Sequence, residues 1–328
     1  MTDVAERRAT AAVRACGVSK QYGFVTALNG LDLTIPQGSL FGLIGPNGAG
    51  KTTALAIMAS VIAPSSGQME VLGFDPVEFP RDLRRRVGFM PDALGVYEGL
   101  RVDEYLEFFA AAYQVPKAKW HDLIGGLLEL VDLHAKRDAM VDSLSRGMKQ
   151  RLSLARALVH DPTMLLLDEP ASGLDPRARF ELRSLLMELR AMGKTVVVSS
   201  HILAELEEMC TDIAIMADGR VLAFGRPGEI RDQLQLGRSV TVRLVDGTTE
   251  SFVVADDRDQ VALLHRLVVD EQRPILEFTA SEGGLEDLFL RITDLEHRPP
   301  VATPGPRPAP DRSPLAPPAT DGADEAVS

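Results

Sequence analysis

Gly45-Pro46-Asn47-Gly48-Ala49-Gly50-Lys51-Thr52 is the stretch that decides how this chain reads. It fits G-x-x-x-x-G-K-[ST], a loop that wraps the phosphates of a nucleoside triphosphate. Gly45, Gly48 and Gly50 let the backbone turn closely enough for successive N–H groups to face phosphate oxygens. Lys51 brings a point charge to the β/γ-phosphates, and the Thr52 hydroxyl is a Mg²⁺ ligand. Pro46, Asn47, Ala49 and Thr53 complete the candidate nucleotide-contacting stretch. The flanks agree with this reading. Leu40-Phe41-Gly42-Leu43-Ile44 is apolar like a buried strand, and Thr53 to Ile62 has helical composition. The phosphates then rest on a helix N-terminus.

A second signal lies downstream in Met164-Leu165-Leu166-Leu167-Asp168-Glu169-Pro170. An apolar strand runs into two adjacent carboxylates, at the end where open α/β sheets bind their ligands. Asp168 suits the Mg²⁺ shell, and Glu169 suits the orientation or deprotonation of an attacking water. Phosphoryl transfer needs both, because it depends on positioning and on charge stabilisation. Between the two signals sits Leu144-Ser145-Arg146-Gly147-Met148-Lys149-Gln150-Arg151. Ser145 is placed as a helix N-cap, and Leu152, Ala155 and Leu158 follow on one helical face. Two readings fit it: plain capping, or a second anion site made of the Ser145 hydroxyl, the Gly147 N–H and the helix dipole.

Taken together, these segments resemble the ATP-binding subunit of an ABC transporter. Leu144–Gln150 resembles the LSGGQ signature, Ser172-Gly173-Leu174-Asp175 the D-loop, and His201 the switch histidine, all in family order. Tyr22 matches the aromatic that stacks on adenine. The resemblance spans about residues 13–230. It implies that ATP and Mg²⁺ are bound and that Lys51, Glu169 and His201 carry hydrolysis. It also implies a second ATPase subunit, arranged head to tail so that Ser145, Gly147 and Asp175 of one copy face the phosphate loop of the other. The partners it implies are integral-membrane permease subunits, which hold the chain at the cytoplasmic face of the membrane.

Three departures from the family pattern stand out. Arg146 and Met148 replace Gly and Gln in the signature, while Ser145 and Gly147 remain to contact phosphate. That pattern resembles bacterial drug-, antibiotic- and polysaccharide-exporting subtypes. Asp92, in Gly88-Phe89-Met90-Pro91-Asp92, stands where the family usually has a glutamine. An ionised carboxylate there cannot donate a hydrogen bond to water, so it either binds Mg²⁺ or repels the γ-phosphate. The segment from Leu94 to Tyr105 is the expected docking surface for the permease.

Composition is consistent with this class. The chain has 328 residues, 45% of them hydrophobic, and a formal net charge of −12. That charge argues against a general nucleic-acid binder, since no basic surplus exists to displace counterions. Two distant cysteines form no disulfide framework, and the histidines show no metal-ligand spacing. No apolar run reaches the roughly 18 residues of a membrane span, and Met1 to Arg14 lacks the apolar core of a signal peptide.

The expected fold is an α/β phosphate-loop NTPase with an inserted helical subdomain between about 95 and 160. Leu40–Ile44, Met164–Leu167 and Thr195–Val198 read as parallel strands covered on both faces. A loose N-terminus (1–12) precedes the ATPase domain (13–230). A small α+β unit (238–295) follows, with strands at Val240–Leu244, Ser251–Val254 and Ile275–Phe278 and helices at Gln260–Val269 and Leu285–Ile292. It resembles the C-terminal extension of the exporter group. Residues 297–328 carry nine prolines and read as disordered. The rival reading, a soluble ATP-switched module acting on ribosomes or DNA, calls for tandem ATPase halves, a long coiled coil or a basic face. The chain has none of these. A non-hydrolysing regulatory subunit is disfavoured by the presence of both Glu169 and His201.

Overall fold

The computed structural model describes residues 11–92, 95, 99–233, 238–254 and 256–281. The proline-rich 297–328, the expected helix at 285–292 and most of 1–12 lie outside them. So do residues 93–94 and 96–98 of the expected docking surface.

A six-stranded sheet has the order β5-β6-β7-β3-β8-β9. Its strands are β3 (Leu40–Ile44), β5 (Val87–Met90), β6 (Met164–Leu167), β7 (Thr195–Ser200), β8 (Asp212–Ala217) and β9 (Arg220–Gly225). All neighbours are parallel except β8 and β9. The sequence makes the reason visible, because the central strands carry apolar runs (Leu40–Ile44, Met164–Leu167, Val196–Val198) rather than apolar residues at every second position. Leu40 and Ile44 of β3, Leu165 and Leu167 of β6, and Val196 and Val198 of β7 enter one core. Phe41 and Leu43, Met164 and Leu166, and Val197 enter the opposite one. Alternate side chains of a strand point to opposite faces, so a strand covered on both sides reads as a near-continuous apolar run. Burying each such Leu, Ile or Val stabilises by roughly 1.5–3 kcal/mol. The loops at the carboxyl ends of these strands are therefore carried on a stiff base.

One face is covered by helices Val102–Ala112, Trp120–Leu130, Arg146–Leu158 and Pro176–Ala191. The first three belong to the stretch between β5 and β6, where the sequence calls for a helical insertion. The other face packs on helix Lys51–Met58 and on a three-stranded antiparallel sheet, β2-β1-β4. Its strands are β1 (Ala11–Tyr22), β2 (Val25–Pro36) and β4 (Ser66–Val71). The expected loose N-terminus (1–12) does not hold for residues 11 and 12. Ala11 already pairs with Pro36, Ala12 is buried, and its carbonyl accepts the Leu72 N–H at 2.7 Å.

Beyond residue 237, β10 (Arg238–Leu244), β11 (Thr249–Val254) and β12 (Ile275–Ser281) form an antiparallel sheet in the order β11-β10-β12. Val240, Val242, Leu244, Val254, Leu263 and Leu267 make a core of their own. The helix expected over Gln260–Val269 runs instead from Asp257 to His265, because Asp256 caps it by accepting from the N–H groups of Arg258 and Asp259. A π-helical turn, Arg266–Asp270, continues it.

Candidate functional site

The loop after β3 has the backbone that its glycines allow. Gly48 and Gly50 sit at φ +88° and +97°, where side chains are strained. A Cβ on Gly50 would lie 2.5 Å from the Ala27 carbonyl, and one on Gly45 would lie 2.4 Å from the Met216 carbonyl. The loop is thus pressed against β2 and the end of β8. Helix Lys51–Met58 starts at its end, so unpaired N–H groups and the positive end of the helix dipole face the loop. Asn47, Gly48 and Thr52 are exposed there, Thr53 is half-buried, and Ala49 is buried against the second core.

Lys51 is only 6% exposed. Its Nζ donates to the Gly45 carbonyl at 2.6 Å and the Pro46 carbonyl at 3.2 Å, and it lies 3.4 Å from Glu169 Oε1. That last contact is ionic, and Oε1 accepts no hydrogen bond. The other oxygen, Glu169 Oε2, is 2.9 Å from His201 Nδ1. Asp168 is fully buried, its Oδ1 accepting from Ser199 Oγ at 2.6 Å and its Oδ2 finding no partner. Four residues singled out from the sequence, Lys51, Asp168, Glu169 and His201, therefore gather at the carboxyl ends of β3, β6 and β7. Ser199 joins them, and it was missed. Its signal was a hydroxyl pair, Ser199-Ser200, closing an otherwise apolar strand.

A second group forms around the N-terminus of helix Arg146–Leu158. Ser145 Oγ accepts the Met148 N–H at 3.3 Å, an N-cap as expected, and both Ser145 and Arg146 are exposed. Gly147 leaves little room, since a Cβ there would come within 3.2 Å of Leu174. Gln150 Nε2 donates to the Ser172 carbonyl at 3.0 Å. The Arg146 guanidinium lies over Gly173, where a Cβ would meet its Cζ at 2.9 Å. Asp175 is the N-cap of helix Pro176–Ala191, accepting from the Ala178 N–H at 2.9 Å. Arg179 bridges outward, donating from Nε to the Leu174 carbonyl at 3.1 Å and pairing with Glu205, which accepts from Ser200.

Tyr22 and Asp92 make no contact with these groups among the described residues. Tyr22 ends β1, half exposed, with the Lys20 ammonium 5.2 Å from its ring centre. Asp92 is exposed two residues past β5. The β5 end does touch the site, because the Met90 carbonyl accepts the Asp168 N–H at 2.8 Å. No helix among the described residues is long and apolar enough to cross a membrane.

Known proteins resemble most of the chain. The family model described as ABC transporter matches residues 28–172. The Nod factor export ATP-binding protein I of Ralstonia nicotianae is 34% identical over 300 residues, covering 86% of this chain and 94% of that protein. Its namesake in Rhizobium meliloti is 34% identical over 313 residues, covering 90% and 92%. Among solved structures, the ATP-binding subunit of an ABC transporter superposes with a TM-score of 0.63 at 30% identity, covering 68% of this chain and 93% of that one. A dimeric ATP-binding cassette in a post-hydrolysis state with ADP and phosphate gives 0.61 at 26% identity, covering 65% and 98%.

Proposed function

The chain belongs to the ABC transporter family as an ATP-binding, ATP-hydrolysing subunit, and on that premise we propose that it powers an exporter through a site shared by two copies. The observation that carries this reading is the division of the candidate residues into two groups. Lys51, Asp168, Glu169 and His201 make one half of a phosphate site. Ser145 and Gly147 stand exposed or half-exposed on a different helix end, suited to cover the phosphates of a facing copy.

Within one copy, the chemistry follows from the contacts. The Lys51 ammonium gives up the Gly45 and Pro46 carbonyls for phosphate oxygens, and Glu169 is released to orient and deprotonate water. His201 steadies the Glu169 carboxylate through Nδ1 and, being half exposed, presents its other nitrogen outward. Asp168 and Thr52 would hold Mg²⁺. The fit rests on the buried Asp168 Oδ2, a carboxylate oxygen without a partner, since such a group is costly unless something pairs with it. The ion would supply charge neutralisation for the phosphates. Asp92 is assigned to the rim of that site and Tyr22 to the adenine. The ATPase domain runs from residue 11 to about 230, and an appended unit begins at 238.

Export is supported by relatives named for it and by the Ser-Arg-Gly-Met-Lys-Gln signature. The drug, antibiotic or polysaccharide class then falls to the permease to choose, and the chain docks there at the cytoplasmic face.

Mixing two damaged variants tests the shared site. Ser145→Arg should bind ATP yet fail to hydrolyse it, because a bulky side chain blocks the facing phosphate. Lys51→Ala should lose ATP binding. Mixed pairs hold one site with both halves intact, so activity should partly return on mixing. Full activity of Ser145→Arg alone would sink the shared site and leave a one-copy ATPase.

A further inference from the structure

Ser199 is fully buried at the carboxyl end of β7, next to four residues (Thr195, Val196, Val197 and Val198) that are themselves inside. Its single hydroxyl is used twice. The proton goes to Asp168 Oδ1 at 2.6 Å, and a lone pair receives the Glu169 N–H at 2.9 Å. The two acceptor–donor demands are compatible, because one O–H can donate once and still accept.

What it holds is unusual on both sides. Glu169 has φ +49°, the left-handed region that non-glycine residues seldom occupy. Its N–H donates to a side chain of β7, the Ser199 hydroxyl, rather than to a backbone carbonyl. Asp168, with Oδ1 engaged, has only Oδ2 left, buried and unpaired. A free carboxylate can rotate and exchange its oxygens, whereas this one is held by its Oδ1 bond, which leaves Oδ2 as the oxygen without a partner.

We infer that Ser199 is the positioning residue of this carboxylate pair: it fixes which Asp168 oxygen meets the divalent cation and pins the backbone turn that aims Glu169. The inference rests on the reading that Asp168 carries the metal. It assigns Ser199 no contact with nucleotide. Outer hydrogen bonds of this kind orient metal-binding carboxylates, and removing them costs about 10–100-fold in metal affinity or activity. Alanine in place of Ser199 would strand the Glu169 N–H and an Asp168 oxygen in the interior.

The test is titration of the full-length chain with a fluorescent ATP analogue, first in EDTA and then with increasing Mg²⁺, alongside melting curves. In Ser199→Ala, affinity in EDTA should stay within about 2-fold of wild type, since the phosphate loop is untouched. The Mg²⁺ concentration that half-saturates the metal effect should rise about 10-fold, with turnover lowered. Ser199→Cys keeps the volume but donates weakly, so it should fall between, and it decides the matter if the alanine variant does not fold. Wild-type Mg²⁺ half-saturation in a folded variant overturns the inference. So does loss of ATP binding in EDTA by both variants, which would make Ser199 a folding residue. Asp168→Asn, run in parallel, separates the two layers: a normal Mg²⁺ response there would refute the metal role of Asp168 itself.

Discussion

Lys51 Nζ stands 3.4 Å from Glu169 Oε1, so the cation of the phosphate loop and the carboxylate that follows β6 face each other directly. Both are largely buried, at 6% and 15% exposure of their side chains. The pair fills with protein charge the space where a phosphate chain belongs on the present reading. Under the proposed mechanism nucleotide entry would separate it, which would free the carboxylate when a water needs orienting. Replacing one member leaves the other without its counter-charge inside the protein, the costly kind of change.

For that reason Glu169→Gln is expected to keep ATP binding and lose turnover on the order of 10²-fold or more, the scale of a lost general base. Phosphate release under saturating ATP measures it. Wild-type rates would take Glu169 out of the chemistry.

Gly50→Ala should abolish nucleotide binding. The backbone at φ +97° costs an alanine about 1–3 kcal/mol, and its Cβ would press on the Ala27 carbonyl at 2.5 Å. The loop must move away from β2 to admit it. Equilibrium binding of labelled ATP would show this, with a lowered melting temperature. Unchanged affinity would mean that the loop has slack the structure does not suggest.

Asp92→Gln should leave ATP affinity within a few-fold and change the hydrolysis rate. Asp92 is exposed and follows the strand whose Met90 carbonyl anchors the Asp168 backbone, and glutamine adds the donor that a carboxylate lacks. Identical rates, basal and permease-stimulated, would reduce it to a passive loop residue.

His160 makes stability depend on pH. Tyr113 stacks on its ring at 3.8 Å, and Nε2 is 3.1 Å from the Val87 carbonyl. Burial pushes the imidazole below its ordinary value of 6.5, against the smaller pulls of that carbonyl and Asp161; Lys194 lowers it further. The unfolded chain therefore takes up a proton near pH 6.5 that the folded chain refuses, so this contribution is intact above that pH and is lost as pH falls below it. Melting temperature should drop between pH 7.5 and 5.5, and less steeply in His160→Gln. Equal slopes would show the histidine to be silent.

Much of this was legible in the sequence because it is written in local patterns. Leu40–Ile44 and Met164–Leu167 are strands with the ends expected, since apolar runs flanked by loop chemistry allow little else. Thr195–Val198 was read two residues short. Ser199 and Ser200 look like a polar exit, yet they pair with Leu43 and Ile44 and are buried. Their polarity serves the neighbouring acids, a purpose visible only once β6 lies alongside. The β2-β1-β4 sheet escaped for a related reason. Its long strands are irregular in register, with bulges at several points, which breaks the alternation that marks a strand. Lys51, Asp168, Glu169 and His201 were nameable, but their mutual contacts depend on three separate strands ending at one level.

The stretch Ser172–Asp175 is fastened from several directions at once: by Arg146 and Gln150 from the helix before it, by Arg179 from the helix after it, and through Arg179 and Glu205 to Ser200, next to His201. A segment tethered so densely does not absorb a displacement; it relays one. In the proposed pair of subunits, a change at one pocket would therefore be felt at the facing one.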